Sequence, residues 1–386
     1  MQSDLINDYK PPAAPPPPQI LYANFVCASA RVQPRTIARQ TLSMSPTIKL
    51  PTRPAPKRAV LLGDINIDIS MPVAAYPPPG SDAQAPDASW QLGGTASNTA
   101  CVLAHLGLPT AILSAVGNDP WAEYALRVLA QAGVDTQLVV RKAHASTGLI
   151  FIAVTPDAER TMFCARGANA QLLPADISTA ALNQCNLAYL SGHAFLTEPG
   201  RSAAWRLVEL ARTNNCALCL DAGLAAAQLC PQAVLRLLPD LALCSIGMRE
   251  AHALLKLEQP DAVADALLAR GVRCAAVKLG AAGCLLADAN QRVRVPGFAV
   301  AELDSTGAGD AFCAGLLFAH ACGLNLSAAG MLANALGALA ISTAGAGAQL
   351  PGPAAVLKLL HAHAAALDAA DLKAVLHALS QPAQGI

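Results

Sequence analysis

Asp304-Ser305-Thr306-Gly307-Ala308-Gly309-Asp310-Ala311-Phe312 is the stretch from which the rest of the chain is best read. Its two glycines let backbone come close to a phosphate. An apolar run from Ala311 to Cys322 follows and stops at Gly323, which predicts a helix opening on the glycines. The first amides of a helix lack intrahelical partners and carry partial positive charge, so they suit an anion. Asp310 stands on that rim, either as a carboxylate that orients an attacking hydroxyl and takes its proton or as a helix cap. On this stretch alone both readings stand.

Composition narrows the surroundings. The 386 residues suffice for one large or two medium domains. Lys+Arg and Asp+Glu number 26 each, so no basic footprint for nucleic acid exists, and a charged ligand must be met locally. The chain is 54% hydrophobic but only 4% aromatic, so Ala, Leu and Val must build the core, as in helices packed on a parallel sheet. Most of the 12 cysteines lie in apolar runs, among them Cys101, Cys164, Cys244, Cys274, Cys284, Cys313 and Cys322, and read as small buried hydrophobes in a reducing, cytoplasmic setting. Cys216 and Cys219 have redox or zinc spacing, but no second pair completes a metal site. From Ala311 to Leu357 there is no Lys, Arg, Asp or Glu, yet Asn325, Asn334 and many Gly and Ala residues favour buried core helices over a membrane span.

Along the chain, residues 1–57 read as a disordered, Pro-rich, mildly basic extension with a proline tract at Pro11–Pro18. Strand-like apolar runs at Ala59–Leu62, Ala111–Val116, Leu187–Leu190, Ala217–Leu220, Leu241–Cys244 and Cys274–Val277 alternate with helical runs, which predicts an α/β domain with a parallel sheet. Asp119-Pro120 opens one helix with a cap and a first-turn proline. Two regions break the rhythm, about 69–92 and 147–164. The first is rich in Pro and Gly, and the second alternates like paired antiparallel strands, so both predict a small projecting β-sheet. Residues 353–386 read as a C-terminal helical segment packing on or trailing the domain.

Three further polar loops stand out. Gly63-Asp64-Ile65-Asn66-Ile67-Asp68 follows the first strand, where open α/β sheets bind ligands. In extended backbone Asn66 and Asp68 share a face and suit neighbouring sugar hydroxyls, or else form an Asx turn. Gly93-Gly94-Thr95-Ala96-Ser97-Asn98 precedes a helix, and Arg166-Gly167-Ala168-Asn169 is a third loop, carrying a cation. Neither a G-x-G-x-x-G fingerprint nor a G-x-x-x-x-G-K-[ST] loop is present.

The order of these pieces resembles the ribokinase family, the PfkB carbohydrate kinases, over about Ala59 to Pro351. Gly93 to Ala100 is similar to the family's N-terminal signature, and Asp304 through Gly315 to its C-terminal one. The resemblance implies a three-layer α/β/α domain at 58–352, with a mostly parallel central sheet and a small β-lid. It implies Mg2+-ATP as donor and a sugar primary hydroxyl as acceptor. Asp310 would be the catalytic base, and the amides of Gly307, Ala308 and Gly309 the anion hole. Asn66, Asp68, Gly94 and Asn98 would contact the acceptor; Lys278, Gly280, Gly283, Gly309 and Asn334 would line the nucleotide site. Glu250 would join the Mg2+ shell, and Asp304 and Thr306 would hold a monovalent cation such as K+. A homodimer through the lid is also implied.

The sequence departs from the pattern at one informative place. An Asn-x-x-Glu is usual where Gly247-Met248-Arg249-Glu250 stands, so Glu250 remains without its amide partner. A nucleoside kinase of the same superfamily, for pseudouridine, adenosine or inosine, is the alternative acceptor reading, and a non-catalytic sugar or nucleotide sensor a third.

Overall fold

Leu61 and Leu62 are neighbours in sequence and both are buried, yet they join different cores, one on each side of a sheet. Side chains alternate along a strand, and a strand apolar on both faces must be covered on both. The computed structural model, which describes residues 58–157, 159–343 and 345–380, follows this rule throughout. The expected extension at 1–57 and residues 381–386 lie outside the described residues.

The strands are β1 (Ala59–Leu62), β2 (Asn66–Pro72), β3 (Ser89–Gly93), β4 (Thr110–Val116), β5 (Val139–Arg141), β6 (Gly148–Val154), β7 (Arg160–Ala165), β8 (Leu187–Ser191), β9 (Ala217–Asp221), β10 (Leu241–Gly247), β11 (Ala275–Lys278), β12 (Cys284–Ala287) and β13 (Arg292–Val295). Helices are α1 (Thr95–His105), α2 (Pro120–Gln131), α3 (Gly200–Thr213), α4 (Leu224–Leu229), α5 (Pro231–Leu237), α6 (Met248–Leu255), α7 (Pro260–Leu268), α8 (Ala308–Cys322), α9 (Leu326–Ile341), α10 (Pro353–Ala362) and α11 (Ala369–Ser380).

Nine strands form the central sheet in the order β13-β12-β11-β10-β9-β8-β1-β4-β5. It is parallel from β5 to β11, and β12 and β13 close the far edge antiparallel. Residues from α1, α2 and α8 to α11 fill one core, and those from α3 to α7 the other. This is an α/β fold of three layers. The uncharged stretch after Ala311 is α8 and α9, buried along most of their lengths. A Cβ on Gly315 would lie 2.7 Å from Ala333 Cα, so the two helices pack backbone to backbone. No helix among the described residues is long and apolar enough to cross a membrane. Val356, Leu360 and Val375 of α10 and α11 are buried in the same core as α9.

The two irregular regions pair with each other. A second, four-stranded sheet runs β3-β2-β6-β7, with β2 and β6 parallel and both outer pairs antiparallel. It begins at Asn66, earlier than the Pro/Gly-rich segment suggested, so both Asn66 and Asp68 ride on it. Two expectations about cysteine are corrected. Cys164, on the edge strand β7, and Cys322, in the last turn of α8, are exposed, whereas Cys216 and Cys219 are buried.

Candidate active site

The turn before α8 has the conformation its glycines predict. Gly307 is the N-cap at φ 75°, a left-handed conformation that glycine adopts without a Cβ clash. Ala308, Gly309 and Asp310 form the first turn, so Asp310 is not the cap. Its carboxylate reaches across the chain instead and accepts from Asn98 Nδ2 at 2.7 Å. Asn98 Oδ1 accepts in turn from the Gly347 amide at 2.9 Å. The structure thus places Asn98 on Asp310, as a bracket that fixes the carboxylate's angle. Burial pushes Asp310 up to about 7, against the Asn98 hydrogen bond, with Asp221 and Asp68 raising it and Lys278 lowering it.

Asn98 is positioned by α1, which opens at Gly94 with φ 98°. A Cβ there would sit 2.3 Å from the Asp64 carbonyl oxygen, so this crossing of two chains requires glycine. Asn66 and Asp68 are buried on one face of β2. Burial pushes Asp68 up to about 6. Room for these side chains comes from missing ones: Cβ atoms on Gly93 and Gly148 would lie 2.2 Å from the Asp68 carboxylate and from Asn66 Oδ1.

Asn169 holds this corner together. It accepts from the Ile65 amide at 2.9 Å and from Ser114 Oγ at 3.2 Å, and it donates to the Ile65 carbonyl and to Asn66 Oδ1, each at 2.9 Å. Beside it, Arg166 makes a two-nitrogen contact with Asp64 at 2.9 and 2.7 Å, which keeps that cation engaged.

On the other side of α8's first turn, Lys278 ends β11. Its Nζ is 2.8 Å from Asp221 Oδ1 and 3.8 Å from Glu250 Oε2. Burial alone would lower the pKa of this lysine, but the two neighbouring carboxylates outweigh it and raise the pKa. A Cβ on Gly309 would be 3.8 Å from the same Nζ, so the helix amides and the ammonium face one space. Gly247 N donates to Glu250 Oε2, and the bent-back carboxylate stands 3.2 Å from where a Gly247 Cβ would be.

Lys278 continues into the turn that joins β11 to β12, where Gly280 and Gly283 both have positive φ. Gly283 lies against the end of β13, with a built Cβ 2.1 Å from the Val295 carbonyl oxygen. Asn334 of α9 fixes that end by donating to the Val295 and Pro296 carbonyls, both at 3.0 Å. Asp304 and Thr306 are joined to each other, and Arg160 of β7 lies against both. Among the described residues no group of His, Cys, Asp and Glu forms a ready metal site.

The turn at Gly307 therefore joins residues that are far apart in sequence. Asn66 and Asp68 of β2, Asp310 of α8, and Lys278 with its two acids from β9 and α6 meet at the carboxyl ends of the strands. Sequence reasoning gave no site role to Asp221, to Arg160, or to Asn169 within its loop. Asp221 carried a signal, a carboxylate at the end of a buried strand, whereas Asn169 and Arg160 gain meaning from partners far along the chain, Ile65 and Thr306 among them.

Comparison with known proteins identifies the family and the fold. The model of the pfkB family carbohydrate kinases matches residues 56–353. A ribokinase of Staphylococcus aureus is 26% identical over 259 residues, covering 66% of this chain and 83% of the relative. Fructokinase-1 of rice is 29% identical over 317 residues, covering 78% and 97%. A putative ribokinase II from E. coli, solved in complex with ATP and Mg2+, superposes with a TM-score of 0.70 at 23% identity over 79% of this chain and 99% of that one.

Proposed function

Because this chain belongs to the pfkB family of carbohydrate kinases, we propose that it transfers the γ-phosphoryl group of ATP to a primary hydroxyl of a sugar. The observation that carries the proposal is the Asn98–Asp310 hydrogen bond, which places a carboxylate of raised pKa beside the first amides of α8.

Asn66 and Asp68 bind acceptor hydroxyls and present one of them to Asp310. Asp310 accepts its proton as the oxygen attacks, and a pKa near the working pH suits that task. The amides of Gly307, Ala308 and Gly309 stabilise charge gathering on the oxygens of the moving phosphoryl group. Lys278 faces the same oxygens and is kept charged by Asp221 and Glu250. Gly280, Gly283 and Asn334 shape the nucleotide side.

The donor set also fits Mg2+ arriving with the nucleotide. Asp221 and Glu250 exceed Lys278 by one negative charge, and oxygen ligands suit that ion. Glu250 would hold its water shell, and Mg2+ would supply neutralisation of the β- and γ-phosphates.

One observation favours the nucleoside alternative. The face of the lid sheet that bears Asp68 also carries, in register, Ile150 and Cys164, then Ile152 and Met162. Such an apolar platform suits the flat face of a base. The opposite face bears Trp90, Ile69, Phe151 and Phe163 in one row, with Phe163 60% and Trp90 56% exposed, and this row is where a second copy would pair. A coupled ADP-release screen tests the function. Ribose, deoxyribose, fructose, 2-keto-3-deoxygluconate, adenosine, inosine and pseudouridine are offered with Mg2+-ATP. Acceptor-dependent ADP release is expected from one class, and ATP turnover with none of them would refute a kinase of sugars or nucleosides.

A further inference from the structure

Strand β7 of the lid sends Arg160 across to the turn that precedes α8. One terminal nitrogen of its guanidinium is 3.0 Å from Asp304 Oδ1 and donates to Ser305 Oγ at 2.6 Å. The other donates to Thr306 Oγ1. Both carboxylate oxygens of Asp304 also accept from other donors. Its Oδ1 accepts from the Thr306 amide at 2.9 Å and hydroxyl at 2.7 Å, and its Oδ2 from the Gly345 amide at 3.2 Å. Burial works to raise its pKa, but the Thr306 and Gly345 hydrogen bonds and the Arg160 charge hold it below the ordinary range.

These are the residues at which the family resemblance placed a monovalent cation. Such an ion needs several oxygen lone pairs turned towards one point. Here the side-chain oxygens of Asp304, Ser305 and Thr306 already face N–H or O–H groups, and a guanidinium stands among them. A second cation at the same place would meet that charge at close range. The donor set does not fit a resident K+.

We infer that Arg160 is a built-in cation: its planar fork ties Asp304, Ser305 and Thr306 into one turn and positions the Gly307–Gly309 amides without a monovalent metal ion. Guanidinium suits this task because it stays charged and spans several acceptors at fixed angles. Arg160 is a positioning residue, since it acts through the turn. It belongs to the same sheet as Asn66 and Asp68, with β2, β6 and β7 hydrogen-bonded in sequence. The sheet that would hold the acceptor thus also braces the phosphoryl-binding turn. The kinetic consequence rests on the kinase reading, whereas the cation independence does not.

The test compares the full chain with Arg160→Ala and Arg160→Lys in KCl and in tetramethylammonium chloride at equal ionic strength, reading both turnover and melting temperature. Wild type should turn over and melt alike in the two salts. Arg160→Ala should lose about 10–100-fold in kcat in tetramethylammonium, with the KM for ATP little changed. It should recover part of that loss in K+ and melt higher in K+, and Arg160→Lys should fall between. A wild type that requires K+ or melts higher in it overturns the inference. So does an Arg160→Ala protein equal to wild type in both salts, or one whose loss neither K+ nor Arg160→Lys repairs. If no acceptor is phosphorylated at all, the kinase reading fails and the melting comparison still decides the role of Arg160.

Discussion

Replacing Lys278 by methionine removes the positive member of the Lys278–Asp221–Glu250 group while keeping an unbranched side chain of similar length. The separations of 2.8 and 3.8 Å correspond to attractions of about 6 and 4 kcal/mol at an effective dielectric of ~20. Most of that is offset by the cost of desolvating three charges, whose side chains are only 18%, 8% and 17% exposed. What remains after substitution is a pair of buried carboxylates with no cation, and breaking such a group costs about 3–5 kcal/mol. At about 2 cal/mol/K of unfolding entropy per residue over roughly 300 folded residues, that lowers the melting temperature by about 5–8 °C at pH 8. Adding Asp221→Asn should return about half of the lost stability, because one of the stranded charges is gone, but it should restore no turnover, because the cation facing the phosphoryl space is still missing. Differential scanning calorimetry and the ADP-release assay read the two effects separately. A Lys278→Met protein that melts within 1 °C of wild type, by the ~1 kcal/mol resolution of such arguments, would refute the coupling of these three charges. A double variant that regains turnover would refute the placement of Lys278 at the phosphoryl group.

Gly309→Ala should fold normally, since Gly309 has no positive φ and its Cβ would meet nothing closer than Lys278 Nζ at 3.8 Å. The methyl group would nevertheless stand where phosphate oxygens approach, and kcat/KM should fall ~10²-fold with an unchanged melting temperature. The acid limb of the kcat/KM profile should bend at pH about 7, where Asp310 takes up its proton, and steepen below about 6, where Asp68 follows. A limb that falls only below pH 5 would contradict burial as the cause of both shifts. Asn169→Ala should cost about 2–4 kcal/mol, because the Ile65 amide and carbonyl lose their side-chain partner, and should raise the KM for the acceptor more than it lowers kcat.

The local rules of the chain were readable from residue types. The Asp119-Pro120 start became α2 with Asp119 Oδ1 capping Ala122, and the Gly307 turn and Gly323 stop bound α8 as expected. Apolar runs gave the buried parallel strands but missed their ends: β10 continues through Ser245 and Ile246 to Gly247, since a strand persists while its neighbours pair with it. β13 left no apolar run because the Arg292-Val293-Arg294-Val295 edge is half charged, with Asp261 and Asp265 of α7 answering the arginines, and β12 is an apolar run of only four residues. Long-range partners left the least trace. Nothing near Asn98 announces that it will bracket Asp310, 212 positions on. Nothing near Arg160 announces the Asp304–Thr306 turn. The exposure of Cys164 follows from β7 being an edge strand, a fact of pairing order that composition does not carry.

Asp310→Asn tests the centre of the account. The exchange keeps shape and removes both the proposed base and a carboxylate whose folded pKa lies above its unfolded value. Such a group contributes stability in its protonated form, and that contribution is lost as pH rises through about 7. At pH 8 the variant should therefore be more stable than wild type, by up to ~1–2 kcal/mol. Single-turnover phosphoryl transfer should fall ~10²–10⁴-fold while ATP binds with unchanged affinity. Transfer at the wild-type rate would contradict the assignment of Asp310 as the base.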